Sequence, residues 1–442
     1  MPYNLDALGW LQFERLCDNA LELAGGVDRT LWSGSADGAR TVLVDEGLEL
    51  PLGLGRVPGP VMVAALWVRR GPELSGLAER IAPVVAAAPR TVVLTNAPDR
   101  GADPAHRRVV FGAERLSALL DAEPRLRLRV PAVLGVRPLD DLLAEAPRAA
   151  STLDLGAAHE LARVFVATRA YDRTLEVLGR HRFAVLTGPP EMGKTAIART
   201  LGLAQLSAGW EVHECLRPEE VLARADPARP QLFIADDAFG STEYRPDAAE
   251  RWARELPRIL RLTDERHWLI WTSRPAPLRA GLHRVHQERG AEHFPSPAQV
   301  QVDAGRLDTD EKASILFRHA KAAGLDADAR GWVRRHGVDI VEHGHFTPER
   351  IRRLVAWRRL SGDPAPIIEA QLGTPTEAMA ASLAALEEEH RALLVAMLDV
   401  PPGPVEEREL AASLRRHHDG GLAHAPVDLI DRLADHFLRV LA

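Results

Sequence analysis

The sequence predicts an α/β protein whose central part is a mostly parallel sheet. Three apolar runs carry this prediction: Phe183 to Leu186, Leu232 to Ala235 and Trp268 to Trp271. Short continuous apolar runs beside turn residues are typical of strands that are buried on both faces of a parallel sheet. Helical periodicity separates these runs, for example over Thr195 to Gln205, and this alternation is characteristic of α/β folds.

Length and composition describe a globular protein of several domains. The chain has 442 residues, of which 46% are hydrophobic and 26% charged, and roughly two to four domains are expected. The net charge of −7 gives no global basic field for nucleic acid or a membrane surface. The two cysteines, Cys17 and Cys215, form no CxxC pattern, which favours a reducing compartment. Residues 1–10 do not resemble a signal peptide and the run Val61 to Val68 is too short to cross a bilayer, so we expect a cytoplasmic protein without a membrane partner.

The run that ends at Leu186 leads into the phosphate-binding pattern GxxxxGK[ST]. Its residues are Gly188, Pro189, Pro190, Glu191, Met192, Gly193, Lys194 and Thr195, with Ala196 following in the predicted helix. In a strand–loop–helix context, backbone N–H groups and the helix N-terminus face phosphate oxygens. Lys194 would reach the β- and γ-phosphates, and the Thr195 hydroxyl would hold Mg²⁺. The pattern therefore predicts a nucleotide site.

Two further strands are followed by polar residues that suit the same chemistry. Asp236 and Asp237 come directly after the run Leu232 to Ala235, and Arg274 follows the run that begins at Trp268. Because parallel strands deliver their carboxyl ends to one edge of the sheet, we expect these side chains near the phosphates. Asp236 would hold Mg²⁺, Asp237 would orient or polarise the attacking water, and Arg274 would contact phosphate charge.

A helical segment, residues 158–180, precedes the phosphate-binding loop and contains Phe165, Val166 and Tyr171. In many P-loop ATPases a segment at this place covers the adenine, because the base needs an apolar pocket. Alternatively, Phe165 and Tyr171 pack in the core. The sequence leaves both interpretations open.

Taken in order, these parts resemble the STAND class of P-loop NTPases, close to its novel STAND branch from bacterial conflict systems. The matching stretches are Gly188 to Thr195, Phe233 to Asp237, Thr272 to Arg274, Leu307 to Glu311 with Leu316 and Phe317, and His345 to Ile351. The resemblance implies ATP or ADP, Mg²⁺, slow hydrolysis and a nucleotide-driven change from a closed monomer to a homo-oligomer. It also implies that Pro348, in a helical lid, contacts the adenine.

The N-terminal region resembles the restriction-endonuclease-like (Mrr-type) fold. The likeness rests on the predicted order α-β-β-β-α-β-α, on the opening Leu8 to Glu14 and on an Ala-Asp-Gly turn that places Asp37 as the first acid. That family cuts DNA with this acid and a Glu/Gln-x-Lys on the next strand, which hold the metal and activate water. Here Ala64 and Leu66 occupy the latter positions, so we expect a domain that has lost cleavage. An unrelated α/β domain is the alternative.

The resulting organisation has five parts. They are a nuclease-like domain (1–135), a linker (136–158), the P-loop NTPase core (159–299), a helical lid (300–372) and a winged-helix-like domain (373–442). The leading hypothesis is an ATP-dependent molecular switch in bacterial defence or signalling, with a DNA or protein partner left open. A second hypothesis is a nucleotide-dependent DNA-binding regulator that uses the winged helix and the nuclease-like domain. A third is an active nuclease whose catalytic lysine comes from elsewhere in the chain.

Overall fold

The computed structural model divides the chain into two compact units. The first unit comprises residues 1–149, 154–167 and 203–209, and the second comprises 150–153, 168–202 and 210–442. The residues that the structure describes are 2–25, 33–34, 40–68, 89–98, 108–240, 245–289, 297–357, 360–374, 380, 383–384, 386–400, 405–417 and 423–433. None of the helices in these ranges combines the length and the apolar character that crossing a bilayer requires.

The first unit contains a five-stranded mixed sheet of order β1-β2-β5-β6-β7 and a separate hairpin of β3 and β4. The strands are β1 (Ser33–Gly34), β2 (Arg40–Val44), β3 (Leu48–Leu50), β4 (Gly55–Val57), β5 (Val61–Leu66), β6 (Thr91–Thr95) and β7 (Arg108–Phe111). β2 is antiparallel to β1 and β5, whereas β5, β6 and β7 are mutually parallel. The mixed α/β character predicted for this region is therefore present.

For the first unit the sequence predicts helices over 5–24, 73–87 and Ala113 to Leu120, and the helices that the structure describes differ from these mainly at their ends. They are α1 (Trp10–Gly25), α2 (Ala113–Ala122), α3 (Pro124–Arg129), α4 (Leu139–Leu142), α5 (Glu145–Ala150, whose last residue belongs to the second unit) and α6 (Leu155–Val164). The helix predicted over 5–24 begins at Trp10, because Gly9 has a φ of +77° and separates it from a short 3₁₀ turn at Leu5–Ala7. The segment 136–158, predicted as a linker with a short helix at 138–144, contains α4, α5 and the first turn of α6. The helix predicted over 73–87 lies outside the described residues.

The two positions that would carry nuclease chemistry on β5 are apolar and buried. Ala64 and Leu66 are each 2% exposed and belong to a core cluster with Val93 and Val110. Neither side chain can bind a metal or polarise water. Asp37, the expected first acid, lies outside the described residues.

The second unit is built on a five-stranded sheet whose strands are all parallel. They are β8 (Phe183–Thr187), β9 (Glu211–Glu214), β10 (Gln231–Ala235), β11 (His267–Ser273) and β12 (Gln301–Asp303), in the spatial order β12-β8-β11-β10-β9. Thr187 of β8 is in register with both Ser273 and Asp303. The carboxyl ends of the central strands therefore meet at one edge of the sheet, as the apolar runs predicted.

Helices flank this sheet and continue into the predicted lid. They are α7 (Arg169–His181), α8 (Lys194–Ser207, whose last turn belongs to the first unit), α9 (Pro218–Arg224), α10 (Pro246–Leu260), α11 (Pro275–Arg289), α12 (Pro297–Val300), α13 (Thr309–Ala322), α14 (Ala327–Arg335), α15 (Gly337–Val341), α16 (Pro348–Ala356) and α17 (Pro364–Ile368). Trp271 on β11 is fully buried and makes edge-on contacts with Phe183, Phe239 and Trp252 at centroid distances of 4.8–5.2 Å. This aromatic cluster fixes the central strands against α10.

In the C-terminal part the sequence predicts helices over 327–341, from Thr376 to Leu398 and over 426–441, and the first two are interrupted in the structure. The helix predicted over 327–341 is divided at His336, which ends α14 and precedes α15. The long helix predicted from Thr376 to Leu398 is interrupted at residues 386–387, after which α18 (Glu388–Ala396) leads into a 3₁₀ turn. α18, α19 (Glu407–His417) and α20 (Pro426–Leu433) share one apolar cluster, whose most buried members include Leu393, Leu414 and Leu429. Residues 434–442, predicted as the end of the last helix, lie outside the described part.

Candidate nucleotide-binding site

The phosphate-binding loop connects β8 to α8 through an unusual backbone path. Gly188, Glu191 and Gly193 all have positive φ values, of +149°, +65° and +90°. Gly188 has a second constraint, because a Cβ there would lie 2.8 Å from the backbone nitrogen of Gly305. The two glycines let the loop after β12 pack directly against the start of the phosphate-binding loop. Pro189, Pro190 and Met192 complete the loop, and Ala196 lies in the first turn of α8.

Lys194 lies at the first position of α8 and points back over the loop. Its Nζ donates to the carbonyl oxygens of Gly188 and Pro189, both at 2.8 Å, and the residue is 7% exposed. The pKa of Lys194 is lowered to about 8, mainly by burial. The negative charge of Asp237 opposes this shift, and the positive charge of Arg274 adds to it. The ammonium group is therefore still mostly protonated at neutral pH, and it is held where phosphate oxygens would meet it.

Thr195 and Asp236, the two residues predicted to hold Mg²⁺, lie within hydrogen-bond distance of each other. The Thr195 hydroxyl lies 2.9 Å and 3.2 Å from the two carboxylate oxygens of Asp236. Hydroxyl and carboxylate oxygens are the hard ligands that Mg²⁺ prefers, and a nucleotide and water would supply the rest of its octahedron. The described residues contain no group of three or more His, Cys, Asp or Glu side chains arranged to hold a metal. These two residues therefore fit a Mg²⁺ ion that arrives with a nucleotide.

Thr272 organises both acidic residues. Its hydroxyl donates to Oδ1 of Asp236 at 2.5 Å and accepts the backbone N–H of Asp237 at 2.9 Å. Thr272 is completely buried, so neither bond competes with solvent. The sequence pattern predicts a role for Arg274 at the end of this strand but none for Thr272. The only available signal was a hydroxyl residue at the carboxyl end of a strand next to the acidic one.

Asp237 and Arg274 form the charged remainder of the site. Burial and the neighbouring Asp236 raise the pKa of Asp237 to about 6, against the opposing effect of Arg274 and Lys194. Burial also lowers the pKa of Arg274, and Asp237 partly offsets this. Asp237 has a φ of +49°, a left-handed conformation that is costly for a residue other than glycine. A carboxylate with a raised pKa beside two cations has the properties expected of a group that accepts a proton from water.

A contact from α16, in the predicted lid, reaches the phosphate-binding loop, and the sequence analysis did not predict it. Thr347, the N-cap of α16, lies 3.3 Å from Oε2 of Glu191, and Nε of Arg350 lies 3.5 Å from the same oxygen. Pro348, expected to contact adenine, occupies the first position of this helix. The structure therefore places it next to a residue that contacts the loop.

Phe165 and Val166 are buried and lie in the first unit, just before Thr168, which caps α7 in the second unit. They follow the end of α6 at Val164, so the predicted continuous helix over 158–180 is interrupted here. An adenine contact of Phe165 and Val166 stays a prediction. Tyr171 is fully buried in the second unit, as the alternative interpretation expected.

A known family model matches the central part of the chain. Residues 165–322 match the family model described as novel STAND NTPase 3. This match supports a STAND-like, nucleotide-binding P-loop NTPase region within an α/β architecture. The matched stretch is less than half of the chain, and no curated protein matches the sequence.

Solved structures with some likeness include a Walker-type ATPase of Pyrococcus abyssi, at 13% identity over 57% of this chain and 89% of that chain, with a TM-score of 0.38. The Orc1 protein of Aeropyrum pernix, solved in complex with DNA, has 18% identity over 60% and 81% of the two chains and a TM-score of 0.34. Domain III of the replication initiation protein DnaA of Thermotoga maritima has 14% identity over 48% and 94%, with a TM-score of 0.33. We draw no conclusion from likenesses at this level.

Proposed function

We propose that the chain is an ATP-binding and slowly hydrolysing molecular switch of the STAND type. One observation carries the proposal: the edge of the parallel sheet gathers the Lys194 ammonium, the Thr195–Asp236 pair and the buried Asp237 next to Arg274. Phosphoryl transfer requires mainly positioning and charge stabilisation from a protein, and these groups supply both.

Each residue has a distinct part in the proposed reaction. Lys194 and the loop N–H groups hold the β- and γ-phosphates. Thr195 and Asp236 hold Mg²⁺, which would neutralise phosphate charge. Asp237 orients a water molecule and accepts its proton, and Arg274 stabilises negative charge on the transferred phosphoryl group.

Switching follows from contacts between the lid and the phosphate-binding loop. Thr347, the N-cap of α16, contacts Glu191 of the phosphate-binding loop. A ligand on the loop can therefore favour one position of the lid over another. In the proposal, the nucleotide state controls the domain arrangement and assembly into a homo-oligomer, in a cytoplasmic defence or signalling role. The first 135 residues act as a nuclease-like domain without cleavage, and residues 373–442 as a winged-helix-like domain.

Binding of Mg²⁺-ATP by the Lys194→Ala variant tests the proposal. Isothermal titration should show strong binding for the wild type and its loss in the variant, because a charge-assisted phosphate contact disappears. Lys321→Ala, which removes an exposed lysine from α13, is the matched control and should bind normally. Equal affinity in Lys194→Ala and the wild type would contradict the site assignment.

A further inference from the structure

Glu191 is an unexpected residue for a loop that binds phosphate. Its backbone has a φ of +65°, a conformation that glycine adopts without cost and other residues rarely do. Its side chain is 7% exposed. A buried carboxylate in such a loop adds negative charge where a polyanion is to bind, so it raises the energy of the bound state unless a cation compensates.

The compensating cation comes from the predicted lid. Nε of Arg350 lies 3.5 Å from Oε2 of Glu191, and the Arg350 side chain is also 7% exposed. Other groups hold the guanidinium in place, because its Nη1 donates to the carbonyl oxygen of Leu372 and lies 3.5 Å from that of His345. These contacts anchor Arg350 in the predicted lid. Its guanidinium group also contacts the Glu191 carboxylate of the phosphate-binding loop.

Thr347 connects Glu191 to the start of α16. Its hydroxyl bonds to Oε2 of Glu191 at 3.3 Å and accepts the backbone N–H of Arg350 at 3.2 Å, which caps α16. The N-terminus of this helix carries partial positive charge. A helix N-terminus and a guanidinium group thus face the same carboxylate, and both leave it if the helix moves away.

We propose that Arg350 is a positioning residue that makes the phosphate-binding loop competent by neutralising Glu191. With the lid against the loop, the Glu191 charge is compensated and the loop can accept the phosphates of ATP or ADP. With the lid displaced, the uncompensated carboxylate repels them. Coupling between sites is reciprocal, so bound nucleotide holds the lid in place to the same extent. This inference rests on the proposed nucleotide site and adds a residue through which the lid controls it.

A double-mutant cycle on the full chain tests the inference, with Mg²⁺-ADP affinity from isothermal titration as the readout. Arg350→Met should weaken ADP binding about tenfold, because it removes the guanidinium charge that faces the Glu191 carboxylate beside the phosphates. Glu191→Gln should tighten binding by about threefold, since it removes negative charge from the loop. The double variant should recover most of the affinity that Arg350→Met loses, and a residue with a purely structural role would not show this recovery.

The matched control is Glu349→Gln, which removes a carboxylate from the same helix. Glu349 pairs with Arg352 on the exposed surface, and its removal should leave ADP affinity unchanged. Weak binding in Arg350→Met that Glu191→Gln does not restore would overturn the inference, since Arg350 would then act by another route. Equal affinity of Arg350→Met and wild type would also overturn it. If the wild type itself bound no ADP, the proposed function would fail, and this outcome is distinct from both.

Discussion

Replacing Thr272 by valine tests whether one buried hydroxyl organises the acidic side of the site. Valine has the same shape but can neither donate to Asp236 nor accept the N–H of Asp237, both of which Thr272 does. A hydrogen bond to a charged group contributes about 1.5–3 kcal/mol, and an orphaned buried donor costs about 1–3 kcal/mol. Because the two effects share one side chain, we expect a combined loss of about 2–4 kcal/mol in the free energy of unfolding.

Chemical denaturation without nucleotide measures this loss directly, and thermal unfolding should show a midpoint lowered by roughly 4–10 °C. Titration should further show that Thr272→Val weakens Mg²⁺-ATP more than metal-free ATP, because Asp236 loses a contact that orients it toward the metal. Thr272→Ser keeps the hydroxyl and should restore most of the metal-dependent part.

Thr200→Val is the matched control for the stability effect. Thr200 is as buried as Thr272, but within the described part of the chain its hydroxyl has no hydrogen-bond partner. Removing such a hydroxyl should leave stability unchanged or raise it slightly. If Thr272→Val and Thr200→Val had the same free energy of unfolding, the two hydrogen bonds of Thr272 would contribute nothing and the reasoning would be refuted.

Two further predictions concern Gly305, which packs against the phosphate-binding loop, and His319 on α13. Gly305→Ala should weaken ATP binding several-fold, because its Cβ would lie 2.7 Å from Pro189 of the phosphate-binding loop. Gly337→Ala, whose Cβ meets nothing within 4 Å, should bind normally, and equal titrations of the two variants would disprove the packing argument. Burial, Arg352 and Arg318 lower the pKa of His319 to about 4 against the opposing effect of Glu349. The unfolded chain therefore binds more protons between pH 6.5 and 4, and up to about 3 kcal/mol of stability should be lost as pH falls through this window. Denaturation of His319→Gln should show a flatter dependence on pH, and an unchanged slope would contradict the burial argument.

The strands of the second unit were predictable because each is a short apolar run that ends in a polar residue. β8, β10 and β11 coincide with the runs that begin at Phe183, Leu232 and Trp268. A continuous apolar run is stable where both of its faces are buried, and a central strand of a parallel sheet provides this. Helix ends were less predictable, since they depend on single residues such as Gly9 and His336. α11 (Pro275–Arg289) was not predicted, because its sequence begins with two prolines and has little apolar periodicity.

The N-terminus of α13 has one contact that the sequence could predict and one that it could not. In the sequence, Asp308 and Glu311 predict an acidic first turn of a helix. The structure has a reciprocal capping box between them, and Oε1 of Glu311 also accepts the N–H of Arg169 at the start of α7. The first contact is local and could be read from spacing. The second joins residues 142 positions apart, and no local pattern encodes it.

The candidate nucleotide site likewise combines parts that local motifs predict with a contact between residues far apart in the sequence. The spacing from Gly188 to Thr195 and the acidic pair after β10 follow from local motifs. The contact between Glu191 and the lid joins residues 156 positions apart through Thr347, and only the packing of α16 brings them together. The nuclease-like and winged-helix identities, the adenine contacts and DNA binding stay predictions.

Backbone strain connects the site to its supports. Among the described residues, positive φ values outside glycine occur at Leu52, Arg182, Glu191 and Asp237. Arg182 ends α7, where a left-handed residue is ordinary. Glu191 and Asp237 differ, because both are acids at the phosphate edge of the sheet. Such strain costs of order 1–3 kcal/mol and persists only where neighbours over-determine the conformation.

Those neighbours differ in where they come from. Thr272 of β11 accepts the N–H of Asp237, so a residue of the sheet itself supports Asp237. Glu191 contacts Thr347 and Arg350, which lie at the start of α16, so these two contacts depend on where α16 packs. In the proposed switch, the acidic side of the site therefore rests on the sheet, whereas phosphate binding depends on the position of α16.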